Sequence, residues 1–401
     1  MQVRALHLGV AVAAIFCAGC STAAPAIAPA PPAGSKSYAE TPAAKNGAFL
    51  YVAGTMISQY RLGSKTPLHS IVSPYGTTTL ALDSLGNLFT ENGVQGSGAY
   101  TAVYNAADLS LERTLTCCWF ESLAFGPQNY VYATASTQIA VLRPGGGKRI
   151  IGWVWPSAGI SSVAFSPAGD LYAASIGASS ISIYIPTDKA RHVRYTRNIT
   201  QGIHNPEYLL FDRTGRLFVA NCPSCWYSSP PRPDTISIYA PGQHSPERRI
   251  KAGLETPVAL AVDSKGRLYV ANSPNSLKAT GWVSVYSAGA RKLLRKITQG
   301  IDVPASIAID PSDNVYVANY FAGTVTVYSP GGATLEYTIS NGVGFPLQLV
   351  IGSPQAPCHI RKTPNCVRGC GACAAASSPM AITRRVSSGS MMPSSHKRAV
   401  E

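Results

Sequence analysis

Three residues of this 401-residue chain invite a chemical reading: His204, Glu255 and Asp302. They stand at matching places in three successive copies of an internal repeat. One imidazole with two carboxylates could act as base and acid, or hold a divalent ion. Aromatic side chains crowd the same stretches. Trp226 and Tyr227 lie in one long connection (222–234), Trp282 ends another (273–282), and Tyr320 is followed by Phe321. Aromatic walls with a few convergent polar groups suit a ligand site, and stacking on Trp or Tyr suits a sugar or a peptide. Solvated loop residues of varied type would give the same letters. The set is therefore read as a ligand-binding site with no catalytic residue assigned. No resident cofactor or metal is expected, and a divalent ion enters only if the chain is an enzyme.

Cysteines supply the other chemical signals. Cys222-Pro-Ser-Cys225 resembles a redox or metal pair, but no thioredoxin-like helix follows it. In an exported chain a loop-pinning disulfide is the expectation. Cys117 and Cys118 are adjacent, a spacing that rarely bridges. Cys358, Cys366, Cys370 and Cys373 could hold Zn²⁺ or form two disulfides, yet no strand or helix pattern surrounds them.

The elements that must position these residues are written in the repeat. An apolar-Ala-apolar-Asp segment leads through two residues and Gly (Asp313 in the last copy) into an apolar strand ending in Ala-Asn (Glu91-Asn92 in the first). It runs from Leu80-Ala81-Leu82-Asp83 to Asn92, from Leu210-Phe211-Asp212 to Asn221, from Leu260-Ala261-Val262-Asp263 to Asn272, and from Ile307-Ala308-Ile309-Asp310 to Asn319. Weaker copies place Gly126 and Ser166 in the Asp slot. Each unit carries four strand signals; in the unit from Pro304 they fall at 305–310, 314–319, 324–328 and 334–339. Thr324-Val325-Thr326-Val327-Tyr328 alternates as a half-buried strand does. Four antiparallel strands recurring every 40–51 residues make the blade of a β-propeller.

Six complete units and one split unit predict seven blades. The split blade takes strands from 48–75 and its innermost strand from 346–351, which closes the ring and leaves no open edge. A six-bladed ring is the alternative. Repetition also sorts residues by role. Asp83, Asp212, Asp263 and Asp310 recur at one turn, so they cap backbone N–H groups rather than act as paired acids. Asn221, Asn272 and Asn319 end the second strand and are expected to bond into the loop that follows. His204, Glu255 and Asp302 break the pattern, two residues before the proline that opens each innermost strand.

Gly-Arg-Leu-Phe-Val-Ala-Asn (215–221), Gly-Arg-Leu-Tyr-Val-Ala-Asn (266–272) and Asn-Val-Tyr-Val-Ala-Asn (314–319) resemble NHL-repeat propellers. They are similar also to the gluconolactonase/regucalcin-like and streptogramin lyase-like propellers. The resemblance covers residues 48–352 and implies a fold more than a function, because one such fold hosts lyases, lactonases and scaffolds. A lactonase-like metal site needs several ligands converging near the axis, and a lyase-like site needs its His and acid in their motif; His204 and Glu255 are a loose parallel only.

The chain's two ends differ from its repeats. Arg4, a short apolar run from Leu8 to Phe16 and Cys17-Ala18-Gly19-Cys20 read as an export signal (1–19). The small residues before Cys20 resemble a bacterial lipobox, with Cys17 departing from it, and the resemblance implies lipidation of Cys20. Residues 20–46 are the lipidated Cys and an Ala/Pro-rich tether, 47–352 the propeller, and 353–401 a basic, cysteine-containing tail expected to be disordered. That tail holds seven Lys and Arg against Glu401 alone, so much of the net charge of +14 is not a property of the repeats. Only 13% of residues are charged, about half the usual share, and 36 glycines and 30 prolines supply turns. A coiled coil is excluded by the breakers, and wholesale disorder by 46% hydrophobic residues. The reading that results is a monomeric, lipid-anchored propeller of the bacterial cell envelope that binds an envelope protein, peptide or glycan and no specific nucleic acid. The alternative is a lactonase-like or lyase-like enzyme using the same face.

Overall fold

A computed structural model describes residues 47–353, apart from the short segments 74–75, 95–96, 116–121, 136, 148, 157–158, 188–191, 227–231 and 275–279. The export signal, Cys20, Cys117, Cys118, Tyr227 and the four tail cysteines lie outside the described residues. Among the described residues, 28 strands form seven four-stranded antiparallel sheets. Numbered along the chain, blade 1 spans Thr77–Leu115, blade 2 Leu123–Val154, blade 3 Ile160–Ile199, blade 4 Pro206–Ile250, blade 5 Pro257–Ile297 and blade 6 Pro304–Ile339. Blade 7 joins the two ends of the repeat region. Its innermost strand, Gln348–Gly352, pairs antiparallel with Phe49–Ala53. Each innermost strand touches its counterparts in the two neighbouring blades, so the ring is closed. The architecture is a seven-bladed β-propeller.

The blade follows from its sequence pattern. The second strands are buried on both faces and read as near-continuous apolar runs: Leu171–Ser175, Leu217–Asn221 and Val315–Asn319 are buried at every position. Fourth strands face water and alternate; Leu335–Ile339 buries its last residue and exposes Glu336 and Thr338. The core is divided among the seams. Seven buried clusters each join two adjacent blades, as where Leu50, Val52 and Tyr60 of blade 7 pack on Tyr316, Ala318 and Val325 of blade 6. Each fully buried Val, Ile or Leu in them contributes about 1.5–3 kcal/mol.

The Asp of the repeat caps its turn. The Asp263 carboxylate accepts from the backbone N–H of Lys265 and Arg267 on one oxygen, and from Arg267 Nε and the Tyr269 hydroxyl on the other. Asp310 accepts from Ser312 N, Asn314 N, Asn314 Nδ2 and Tyr316 OH in the same way. Two of the four oxygen-bound donors are backbone groups that the turn itself leaves without a ladder partner. Gly266 follows with φ of 75°, the left-handed backbone the turn requires.

Candidate functional site

The face opposite the Asp turns carries the loops that pass the chain from one blade to the next, together with the connections between second and third strands. Its backbone is strained in a regular way. The residue before the innermost strand is left-handed in five blades: Gly76, Gly159, Asn205, Thr256 and Val303. Thr256 and Val303 are β-branched, for which this conformation costs on the order of 1–3 kcal/mol. A bulge follows immediately, between Pro206 and Tyr208, Pro257 and Ala259, and Pro304 and Ser306, with equivalents in blades 1 and 3. A bulge bends its strand and re-aims one side chain. The five bulged residues are Thr78, Ser161, Glu207, Val258 and Ala305, and Glu207 alone among them is ionisable.

Two repeated devices hold these loops. The first is the Asn that ends each second strand. Asn221 Oδ1 accepts from the backbone N–H of His204, Asn272 Oδ1 from that of Glu255, and Asn319 Oδ1 from that of Asp302. The expected bond into the following loop is thus replaced by one into the loop entering the same blade. The amide has one acceptor and two donors, and the other half is used as well: Asn221 Nδ2 donates to Gly202 O, Thr235 Oγ1 and Ser237 Oγ. The second device is a Ser-x-Tyr pair on the third strand. Ser237 Oγ donates to Gly202 O at 2.6 Å and Tyr239 OH to Gln201 O at 2.7 Å. Ser284 and Tyr286 repeat this on Gly253 and Ala252, and Ser58 and Tyr60 on Gly342 and Asn341. Burial pushes the Tyr286 hydroxyl up to about 12, so it stays a donor at every physiological pH.

These clamps hold the backbones of His204, Glu255 and Asp302, and leave their side chains free to differ. No bond joins the three side chains to one another. Among the described residues, no group of three or more His, Cys, Asp or Glu could hold a metal ion. His204 instead meets a cation. Its Nδ1 lies 3.0 Å from a guanidinium nitrogen of Arg232, in the 222–234 loop. Burial, then Arg232, then Arg249 lower its pKa below the ordinary 6.5, so the imidazole is neutral at pH 7. A guanidinium only donates, which makes Nδ1 the acceptor and leaves Nε2–H as the outward donor. Glu255 is exposed and Asp302 half-buried.

The 222–234 loop is pinned at both ends. A disulfide joins Cys222 and Cys225. The buried Asp234 carboxylate accepts from Ser224 N and Oγ and, at 2.7 Å, from the backbone N–H of Thr256 in the next blade's entry loop. Trp226 ends the short helical turn Pro223–Trp226; its side chain, like Tyr227, lies outside the described residues. Trp282 opens the third strand of blade 5 and serves the seam: its indole N–H donates to Gly253 O and Ser284 Oγ, and Lys296 Nζ sits 3.9 Å over its ring. Tyr320 belongs to an aromatic group with Phe321 and Phe345, at ring separations of 5.3 and 5.7 Å, and the last two are 62% and 49% exposed.

Sequence reasoning missed Arg232, Glu207, Asp234 and Phe345. Arg232 is the sole charged residue between Cys222 and Pro233, and Glu207 the sole ionisable one in the bulge slot; both signals were readable.

No protein-family model matches this chain, and no curated protein matches it. Solved structures do. A Bacteroides fragilis protein assigned by name as a 6-phosphogluconolactonase superposes with a TM-score of 0.63 at 13% identity, covering 78% of this chain and 100% of its own. The periplasmic gluconolactonase of Pseudomonas aeruginosa gives 0.59 at 15% identity, over 77% and 99%. A protein from Lactobacillus plantarum gives 0.62 at 17% identity, over 76% and 99%. These likenesses establish the shared propeller fold.

Proposed function

We propose that this chain is a lactonase-type propeller that opens a sugar lactone on the face carrying His204, Arg232 and Glu207. The observation that carries the reading is the His204 imidazole, whose Nδ1 lies 3.0 Å from the Arg232 guanidinium. Hydrolysis of a lactone adds water to a carbonyl, puts negative charge on its oxygen, and expels the ring oxygen as a hydroxyl. His204 Nε2–H and the Arg232 guanidinium supply donors for that developing charge, which is the interaction that strengthens in the transition state. Glu207, three residues along on the bulge, is the carboxylate proposed to take the proton from water and return it to the leaving ring oxygen. The scheme uses only this chain's side chains and balances as lactone plus water giving the sugar acid. Support from outside the chain comes from the names of two structural neighbours, one called a 6-phosphogluconolactonase and the other a gluconolactonase.

A second reading, binding without turnover, is favoured by the exposed aromatic group of Tyr320, Phe321 and Phe345 on the same face. Sugar rings, like peptides, stack on such surfaces.

Hydrolysis of gluconolactone and 6-phosphogluconolactone by the full chain, followed by acid release at constant pH, separates the two. Turnover above the spontaneous rate, cut at least tenfold in His204→Gln and Glu207→Gln, is the expected result. No acceleration, with gluconate still bound calorimetrically, leaves the binding reading alone. Export and lipid anchoring at Cys20 belong to the same proposal. Metabolic labelling with palmitate should mark the wild type and not Cys20→Ser; labelling of both would remove the anchor.

A further inference from the structure

Between the outer strands of blades 4 and 5 lies a cleft of about 210 Å³. Its charged lining residues are Arg248, Arg249, Lys251, Arg291 and Lys292, and no acidic residue lines it. Its buried lining is apolar, from Ile250, Ala290 and Tyr286, and the Tyr286 hydroxyl donates to Ala252 O. Arg248 is fixed by donating to Gly289 O at 2.7 Å. Glu247, the acid next to it in sequence, is engaged by Arg216. Among the described residues, none of Arg249, Lys251, Arg291 and Lys292 has an ion-pair partner.

The repeat supplies a control. At the next seam, between blades 5 and 6, the same positions read Arg295, Lys296, Thr298, Ala333 and Thr334. Ile250-Lys251-Ala252-Gly253 there becomes Ile297-Thr298-Gln299-Gly300, and blade 3 has the matching Ile199-Thr200-Gln201-Gly202. Two of the five cations are therefore repeated with the blade, whereas Lys251, Arg291 and Lys292 are particular to this seam. A seam folds without them, so folding does not explain their presence. Concentrating three extra like charges around a concave, apolar-lined site is unfavourable unless an anion offsets it, and the low-dielectric lining strengthens that attraction.

We infer that this cleft binds a phosphate group, through the unrepeated cations Lys251, Arg291 and Lys292 beside Arg248. The fork of an Arg matches a phosphate's oxygens, and a site of this size takes one such group. The group could come from a free phosphate or phosphomonoester, or from the headgroup of an anionic lipid.

The test replaces the three by their counterparts from the next seam, Lys251→Thr, Arg291→Ala and Lys292→Thr, in one full-length chain. The variant should melt where the wild type does, since that seam already folds with these residues. Inorganic phosphate is titrated into both proteins at constant ionic strength. Both are also sedimented with phosphatidylcholine vesicles with and without phosphatidylglycerol. Because both carry the same two ends, any difference reports on the cleft. Phosphate binding weakened by about tenfold in the variant supports a soluble ligand. A difference confined to the phosphatidylglycerol vesicles supports a headgroup. Equal behaviour of the two proteins in both arms would overturn the inference.

Discussion

The two faces of this ring solve the same problem, tying down a loop at the end of the innermost strand, in different ways. On one face the repeated Asp does it alone: Asp83, Asp212, Asp263 and Asp310 each bond the backbone of their own turn. On the other face the bond comes from an Asn on the neighbouring strand, and the residue it holds contributes only its backbone N–H. That residue's side chain is thereby released, and it is His204 in one blade, Glu255 in the next and Asp302 in the third. The difference teaches where a repeat protein can acquire function. It can do so where a constant residue does the structural work for a variable one.

Breaking the Asp face should cost most. Asp263→Ala removes acceptors from two backbone amides, removes the carboxylate that accepts from the buried Tyr269 hydroxyl and deprives Arg267 of its direct ion-pair partner. A loss of about 3 kcal/mol in denaturant unfolding is expected. Asn272→Ala, on the other face of the same blade, deletes a fully buried amide that holds Glu255 and donates to Val270 O; about 2 kcal/mol is expected. Glu255→Gln, the residue so held, should change stability by less than about 0.5 kcal/mol, as an exposed substitution does. His204→Gln should likewise leave the unfolding midpoint in place while cutting turnover at least tenfold. A His204→Gln protein that unfolds as easily as Asn272→Ala would erase the distinction between holder and held.

A pH profile sharpens the same point with the smallest effect. Because burial, Arg232 and Arg249 lower the His204 pKa, its imidazole should take up its proton below pH 6.5, as read from its ring-proton NMR shifts. In Arg232→Ala one cation is gone and that titration should move up toward 6.5; an unmoved titration would show that Arg232 does not act on the ring. The sign for stability is the same: the unfolded chain takes a proton at His204 before the folded one does, so this residue's contribution falls as pH drops below 6.5.

Much of the fold could be read from the letters, for a physical reason. Asp-x-x-Gly and Val-Ala-Asn are side-chain demands of a turn and of a fully buried strand, and they recur at blade spacing. The closing blade was readable because Leu50-Tyr51-Val52-Ala53 repeats the second-strand pattern with no first strand before it. The latches were harder. Ser237 and Tyr239 bond to carbonyls of Gly202 and Gln201, and a backbone carbonyl has no letter of its own. The bulge that presents Glu207 is likewise a backbone event. His204 and Arg232 meet across 28 residues, so no local pattern announces the pair. Trp282 was legible as an aromatic at a loop's end, but not as an indole whose N–H is committed to the seam.

The account rests on the function lying at the handover face and not at the Asp-turn face, and hydrogen exchange read by mass spectrometry tests this most directly. With saturating gluconate added to the full chain, the account predicts slowed exchange in peptides covering 202–208 and 232–235, and none at the turns after Asp212, Asp263 and Asp310. Protection confined to those turns, or no protection anywhere, would contradict it.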